Sequence, residues 1–498
     1  MTPSTRSESR LLSLPDAKRL WGSIAAAPGA PPAGHRPILL AILAACFVLR
    51  LGLGWFLPNI HHADEVYQVA EQANRSLHGY GIVSWEFRTS SRTVLLPALV
   101  KPIYALSASA ETHRILLAAL FCVFSLIPVW VAFQWVGRLY GLRGAILAAT
   151  MMATWFELVY FAPKPTADAV CSYFLVAALF LARPAARSAE LFLAGLSLML
   201  AFGMRVQIAP AIGIVFLSAA MVKGGRRRTA ALLGGVATGL AVVGFVEWLW
   251  WGVPFQGQWG YLAMEFLHRS STYFGRQPVT FFAKEYVLLY GGALPLMVFL
   301  IYAGARNAPV LLLTSLAVIL PFHFVGHKEY RFVVAGLPLL VLLMGLAAAE
   351  LMNRFDPAIR RGVLPTVVCG WLVSMVALSF SDHYRPYWTR DGNHVLAFEE
   401  IGRDPDACGV ALVGIRWWHT PGYSGLGRDI PIYELSPDQE ARIMSAANYV
   451  LLAPKQPAPR DPYVRWREYS RPVQYLYRRP GGCVPDESAQ IVLPPGIR

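Results

Sequence analysis

Residues 37–65 read PILLAILAACFVLRLGLGWFLPNIHHADE. From 37 to 57 the run is apolar apart from Arg50. It is long enough to cross ~30 Å of hydrocarbon as one helix. No small-residue cleavage site follows it. Two histidines and two carboxylates follow instead, so the run reads as an uncleaved span and not as a signal peptide. Arg50 inside it calls for a snorkelling route or a buried partner.

The whole chain extends that reading. Hydrophobic residues make up 55% and charged residues 15% of the 498, with mean hydropathy +0.44. A soluble protein carries about 25% charged residues, so the composition is that of an integral membrane protein. Six cysteines are too few for a disulfide scaffold, and disordered and collagen-like classes are excluded. Further apolar runs fall near 113–136, 144–162, 166–183, 190–204, 207–222, 229–250, 282–304, 307–326, 331–351 and 362–380, giving about eleven transmembrane helices. The runs 190–204 and 207–222 are short, meet at Arg205 and suggest a broken or re-entrant pair. The stretch 94–110 is apolar but holds Pro97, Lys101 and Pro102, and reads as an interfacial helix.

The net charge is +14, from 44 Lys and Arg against 30 Asp and Glu. No nucleic-acid motif accompanies it, and cytoplasmic loops of membrane proteins collect such charge. With the N-terminal tail (1–36, Arg6, Arg10, Lys18, Arg19, Arg36) in the cytoplasm, alternate loops carry Arg138 and Arg143; Arg183 and Arg187; Lys223 and Arg226 to Arg228; Arg306; and Arg354, Arg360 and Arg361. This orientation gives a transmembrane catalytic domain over 37–380, a large first outer loop at 58–112, and an extracytoplasmic C-terminal domain over 381–498. That tail is polar, Pro-rich and aromatic. Val410–Ile415 and Tyr449–Leu452 read as strands, and Ser436-Pro437-Asp438 as a helix start, so a small α/β domain is expected. Its Cys408 and Cys483 form a disulfide if the compartment is oxidising; otherwise they are two buried thiols.

Ionisable residues at span ends concentrate on the outer side, among them Glu157, Lys164, Asp168, Glu247, Lys284 and Glu285. Three clusters stand out. In His61-His62-Ala63-Asp64-Glu65, adjacent carboxylates point in different directions, so one can act as a general base while the other makes structural contacts. The alternative is a helix cap at Asp64. In His327-Lys328-Glu329-Tyr330-Arg331, three potential cations crowd an outer turn and can hold a phosphate, or a lipid headgroup. Glu329 can orient one of them, and Arg205 can reach the same phosphate or simply end a span. In Trp85-Glu86-Phe87-Arg88, with Arg92, charged and aromatic residues alternate as at a sugar-binding surface or an ordinary membrane interface. No metal-ligand spacing and no nucleotide-binding glycine loop stand out.

The His-Lys-Glu-x-Arg-Phe turn at 327–332 resembles the signature of glycosyltransferase family 22, and His62–Gln68 (His-x-Asp-Glu-x-x-Gln) resembles that family's first outer-loop motif. Residues 85–88 with Arg92 and Pro97, Tyr273-Phe274-Gly275, and His419 to Ser424 are similar to further landmarks. The resemblance runs from about 38 to 435. It implies an all-α polytopic fold of the glycosyltransferase C class and an outward-facing site without bound metal or cofactor. It further implies transfer, with inversion, of a sugar, usually mannose, from a polyprenyl-phosphate donor to a glycan or glycolipid acceptor. Mapped onto this chain, it makes Asp64 the base, with Glu65 the neighbouring carboxylate. His327, Lys328, Arg331 and Arg205 then face the donor phosphate, while Trp85, Glu86, Arg88, Arg92 and Glu329 contact substrate. Residue usage points to a bacterial inner membrane with a periplasmic site, or to a lumenal site in the endoplasmic reticulum if the source is eukaryotic. Two other readings stand beside it. One is a polyprenyl-phosphate sugar transferase acting on protein or lipid A. The other is a transporter, which would carry repeats and midplane charges that this sequence does not show.

Overall fold

The computed structural model describes residues 17–26, 35–106, 109–222, 225–268, 270–470, 473–488 and 491. Arg6, Arg10, Lys223 and the side chains of Lys18, Arg360 and Arg361 lie outside what it describes.

Each apolar run is helical. His35–Phe56, Ala110–Thr154, Arg226–Trp251, Phe281–Asn307, Tyr330–Asn353 and Gly362–Ser379 are long and apolar enough to cross a membrane. Ala167–Leu181, Ser188–Met204, Val206–Ala220 and Pro309–Phe324 are shorter apolar helices beside them. The 45-residue stretch Ala110–Thr154 is not one rod. Gly141 takes φ +72°, a left-handed conformation open to glycine. A Cβ on Gly137 would lie 3.0 Å from that of Ala145, a pair that a straight helix would keep ~12 Å apart. The chain therefore turns back at Gly141, and the runs 113–136 and 144–162 are the two arms of a hairpin. The break expected at Arg205 is present: its backbone is extended (φ −145°, ψ 99°) between Ser188–Met204 and the turn Val206–Ile208.

Arg50 has a buried partner set rather than a snorkelling route. It is 1% exposed and donates to Ser125 O (2.7 Å), Met152 O and Ala153 O (both 3.0 Å). Ser125 caps the C-terminal end of Ala110–Phe124, and Met152 and Ala153 lie in the last turn of Leu126–Thr154. One guanidinium thus satisfies orphan carbonyls at two helix C-termini, where the macrodipole is negative. The N-terminal tail is also less independent than its polarity implies. Trp21 is fully buried, donates to Ser218 O at 3.1 Å and packs on Trp135.

Beyond the last span, five strands form one sheet: β1 (Val410–Val413), β2 (Ile432–Leu435), β3 (Tyr449–Leu452), β4 (Val464–Ser470) and β5 (Val473–Arg478), in the order β2-β1-β3-β5-β4. β1 pairs in parallel with β2 and β3, while β5 is antiparallel to β3 and β4. Val410 and Leu412 pack in one cluster with Phe398 and Ile401 of helix Gly392–Arg403. Ala411 and Val413 pack in another with Ile443 and Ala446 of helix Glu440–Ala446. Coverage on both faces is why β1 and β3 are continuous apolar runs. Cys408 and Cys483 are joined by a disulfide, their Cα atoms 5.7 Å apart. The cluster under the sheet also contains Ile60, Tyr67 and Ile82 from the first loop. Loop and tail therefore share a core, which fixes the loop that carries Asp64.

Candidate active site

The loop begins on a cap. His62 is the N-cap residue (φ −151°, ψ 151°), and its Nδ1 accepts the backbone N–H of Asp64 at 3.2 Å. Glu65 completes a reciprocal box, its Oε1 accepting the N–H groups of His61 (2.9 Å) and His62 (3.2 Å). The cap considered at Asp64 thus falls on His62, which leaves the Asp64 side chain free of that duty. The next turn, Val66–Ala70, is a π-helix. Such turns are frequent at functional sites, and this one carries Gln68.

The adjacent carboxylates part company. Glu65 is buried, and its Oε2 lies 3.3 Å from the ammonium of Lys164. Lys164 also donates to Asn59 Oδ1 at 2.6 Å. Both Glu65 oxygens are occupied by protein groups, so this residue holds the loop to the bundle. Asp64 faces a small cleft whose walls include Gln68, Arg92, Thr166, Asp168 and Arg331. Its Oδ2 lies 2.7 Å from Arg331 and 3.1 Å from Arg92. Its Oδ1 makes no ion pair with a guanidinium among the described residues and lies 3.1 Å from His62 Nδ1. Burial alone would raise the Asp64 pKa, but Arg331, His62 and Arg92 outweigh it and hold the carboxyl well below its ordinary range.

Arg331 organises the centre. Its Nε reaches Glu329 Oε2 at 2.6 Å, and its Nη1 stands 4.0 Å from Asp168. Arg205, from the helix break, pairs with Asp168 at 2.5 Å. Arg92 donates through Nε to Gln68 Oε1 (2.6 Å), and Gln68 donates on to Glu86 Oε1 (2.6 Å). Burial and the nearby Asp64 charge raise the Glu86 pKa against the pull of Arg92. Glu329 also accepts from His327 Nε2 at 2.8 Å, and despite its burial Arg331 and His327 hold its carboxyl below the usual range. Lys328 is 5% exposed and donates to the carbonyls of Gln277 (3.0 Å) and Val325. Among the described residues it pairs with no carboxylate.

The structure therefore joins Asp64, Arg92, Glu86, Glu329, Arg331 and Arg205 into one network, with His327 attached through Glu329. It sets Glu65 apart. Arg88 donates to its own loop at Val83 O, and exposed Trp85 packs on Phe274, neither of them lining the cleft. Asp168, Gln68 and His62 belong to the network, although sequence reasoning did not select them. Asp168 and Gln68 were visible as a charge opening a helix and as the last position of a motif. His62 stood in the same cluster as Asp64 with no role of its own assigned to it. Among the described residues no group of three or more His, Cys, Asp and Glu side chains converges as a metal ion requires.

A sequence profile described as the Alg9-like mannosyltransferase family matches residues 41–424. The GPI mannosyltransferase 3 of Yarrowia lipolytica is 24% identical over 433 residues, covering 82% of this chain and 78% of its own length. Mannosyltransferase APTG1 of Arabidopsis thaliana is 24% identical over 338 residues, 62% of this chain and 59% of its own. Among solved structures, ArnT from Cupriavidus metallidurans bound to undecaprenyl phosphate superposes with TM-score 0.62 at 13% identity, over 89% of this chain and 98% of ArnT. That likeness shows the glycosyltransferase C fold, a polytopic helical bundle in the membrane with a small terminal sheet.

Proposed function

The chain belongs to the Alg9-like mannosyltransferase family, and on that premise we propose that it moves mannose, with inversion, from a polyprenyl-phosphate donor to a hydroxyl of a glycan or glycolipid. The observation that carries this reading is the asymmetry of Asp64. One oxygen is held by two guanidiniums, while the other carries no guanidinium and belongs to a residue that lines the cleft. A base in an inverting transfer needs just this: an ionised carboxylate, fixed in place, with one lone pair for the acceptor proton. The acceptor oxygen attacks the anomeric carbon, the bond from that carbon to the phosphate oxygen breaks, and the electron pair leaves with the lipid phosphate. Arg331, Arg205 and Lys328 stabilise the charge that develops there, a preorganised electrostatic role. The lysine supports this assignment because a buried ammonium that meets only carbonyls still lacks an anion. The undecaprenyl phosphate bound by ArnT supports a lipid phosphate as the leaving group.

The site faces the periplasm of a bacterial inner membrane in this proposal, or the lumen of the endoplasmic reticulum in a eukaryote. Basic residues at the other end of the bundle support it: Arg228 donates to the carbonyls of Arg183, Pro184 and Ala186, and Arg183 pairs with Glu190. The test offers purified enzyme polyprenyl-phosphate mannose and a nucleotide-linked mannose in parallel. Consumption of the lipid-linked donor alone is expected, and Lys328→Ala should weaken its binding about tenfold or more. Consumption of the nucleotide sugar alone would overturn the donor assignment. An acceptor series then separates glycan from protein and lipid A.

A further inference from the structure

His62 lies beside Asp64 and is the more exposed of the two side chains. The backbone N–H of Asp64 points at His62 Nδ1 from 3.2 Å, so in the neutral ring Nδ1 presents its lone pair. The same atom lies 3.1 Å from Asp64 Oδ1, the carboxylate oxygen that no guanidinium holds. Across the ring, Nε2 stands 3.5 Å from Glu329 Oε1. The imidazole thus lies between two carboxylates. Its side chain is 33% exposed, against 17% for Asp64. His61, its neighbour, is turned into the bundle: Nδ1 lies 3.2 Å from Tyr160 OH and the ring packs against Phe161 and Tyr387. The charged groups facing His62 are Asp64 and Glu329, with Arg331 bound to both of these.

Two guanidiniums make Asp64 a good orienting group but a poor resting place for a proton. A protonated Asp64 between Arg331 and Arg92 forfeits both ion pairs. We propose that His62 is a proton relay: Asp64 Oδ1 takes the acceptor hydroxyl proton and hands it to His62 Nδ1, and the imidazolium then loses a proton to water, the ring returning to its Nε2–H tautomer by proton exchange with solvent before the next turnover. This rests on the mannosyl-transfer reading above. The step balances. The O–H bond of the acceptor breaks as its oxygen bonds to the sugar, the leaving phosphate keeps the electron pair, and the proton crosses from Oδ1 to Nδ1. The imidazolium gives up the cap hydrogen bond and gains Asp64 and Glu329 as counter-ions, while Asp64 recovers its charge for the next turnover. His62 acts through Asp64 and is therefore a positioning and relay residue, not a catalytic one. Glu329 would hold the relay's outer nitrogen as well as Arg331, which accounts for a carboxylate in an otherwise cationic turn.

The test separates relay from cap. Asparagine is a good N-cap and can accept the Asp64 N–H, but it cannot carry a proton. His62→Asn should keep donor KM within about twofold and lose about a hundredfold in kcat, the scale of a displaced proton transfer. His62→Ala should lose as much and regain at least about tenfold in kcat when imidazole is added, which a merely structural residue would not do. A second readout needs no substrate. In enzyme labelled with 15N-histidine at pH 8, the resonance that disappears in His62→Asn should show its N–H at Nε2. Wild-type kcat in His62→Asn would overturn the relay. So would turnover lost in His62→Ala and not restored by imidazole, or an N–H on Nδ1. If wild-type enzyme transfers no mannose, the donor reading fails, and the tautomer still decides the relay geometry.

Discussion

Asp64 and Glu65 are neighbours of the same chemical type, and the fold gives them opposite work. Glu65 closes a capping box and neutralises buried Lys164, so Glu65→Gln leaves an ammonium without its counter-ion. We predict a cost of about 3 kcal/mol, read as a lowered Tm and a reduced folded yield. Asp64 and Glu329 are both held below the ordinary carboxylate range. A group depressed on folding adds stability that is complete above its unfolded value, near pH 4 for Asp and Glu, and that fades as pH falls through the folded one. The contribution of these two carboxylates to Tm should therefore be constant between pH 5 and 8 and fade below about pH 4, with a smaller drop in Asp64→Asn. A drop of equal size would show that Asp64 is not the group titrating. At this scale the sequence was informative about residue type. The two carboxylates alone left open which one faces the cleft, and only the family resemblance singled out Asp64, because the choice depends on Lys164, which lies 99 residues downstream of Glu65.

The spans were legible at the scale of elements because bilayer thickness sets a length that hydropathy reveals. The hairpin at Gly141 kept its two runs distinct for the same reason. What pins the elements together was not legible. Arg50 reads as an intruder in a span until two helix C-termini meet over it. Arg50→Leu removes the donor to buried helix-end carbonyls at ~1–3 kcal/mol for each one left unpaired, so Tm should fall sharply while the donor KM of the surviving folded fraction stays unchanged. An unaltered Tm would remove the capping role. β1 and β3 were foreseen from their apolar runs. β4 and β5 were not, because the hairpin lies at the edge of the sheet and much of β4 is exposed. Its Arg- and aromatic-rich sequence therefore lacks the alternation that marks a half-buried strand. The disulfide Cys408–Cys483 closes a loop of 75 residues around this sheet. Cys408→Ala should cost about 4 kcal/mol by loop entropy, seen as loss of the sheet's protection from proteolysis.

Across the whole molecule, the first loop and the C-terminal sheet behave as one structural unit although more than 300 residues separate them. Glu71, fully buried, accepts the N–H groups of Ile82 (2.8 Å), Tyr423 (3.1 Å) and Ser424 (2.8 Å), and Gly422 at φ +62° lets the backbone close on it. Tyr67 OH reaches the carbonyls of Trp417 and Thr420. Composition drew the boundary at 381, yet packing runs across it, because a polar tail and a polar loop give no hint from sequence that they pair. The account as a whole stands on Asp64 as the base of a lipid-linked mannosyl transfer. The direct measurement is mannose transfer from polyprenyl-phosphate mannose by purified protein in EDTA, wild type beside Asp64→Asn, with donor binding followed in both. The account predicts transfer by wild type alone and equal donor binding by the two. Transfer by Asp64→Asn at the wild-type rate would contradict it.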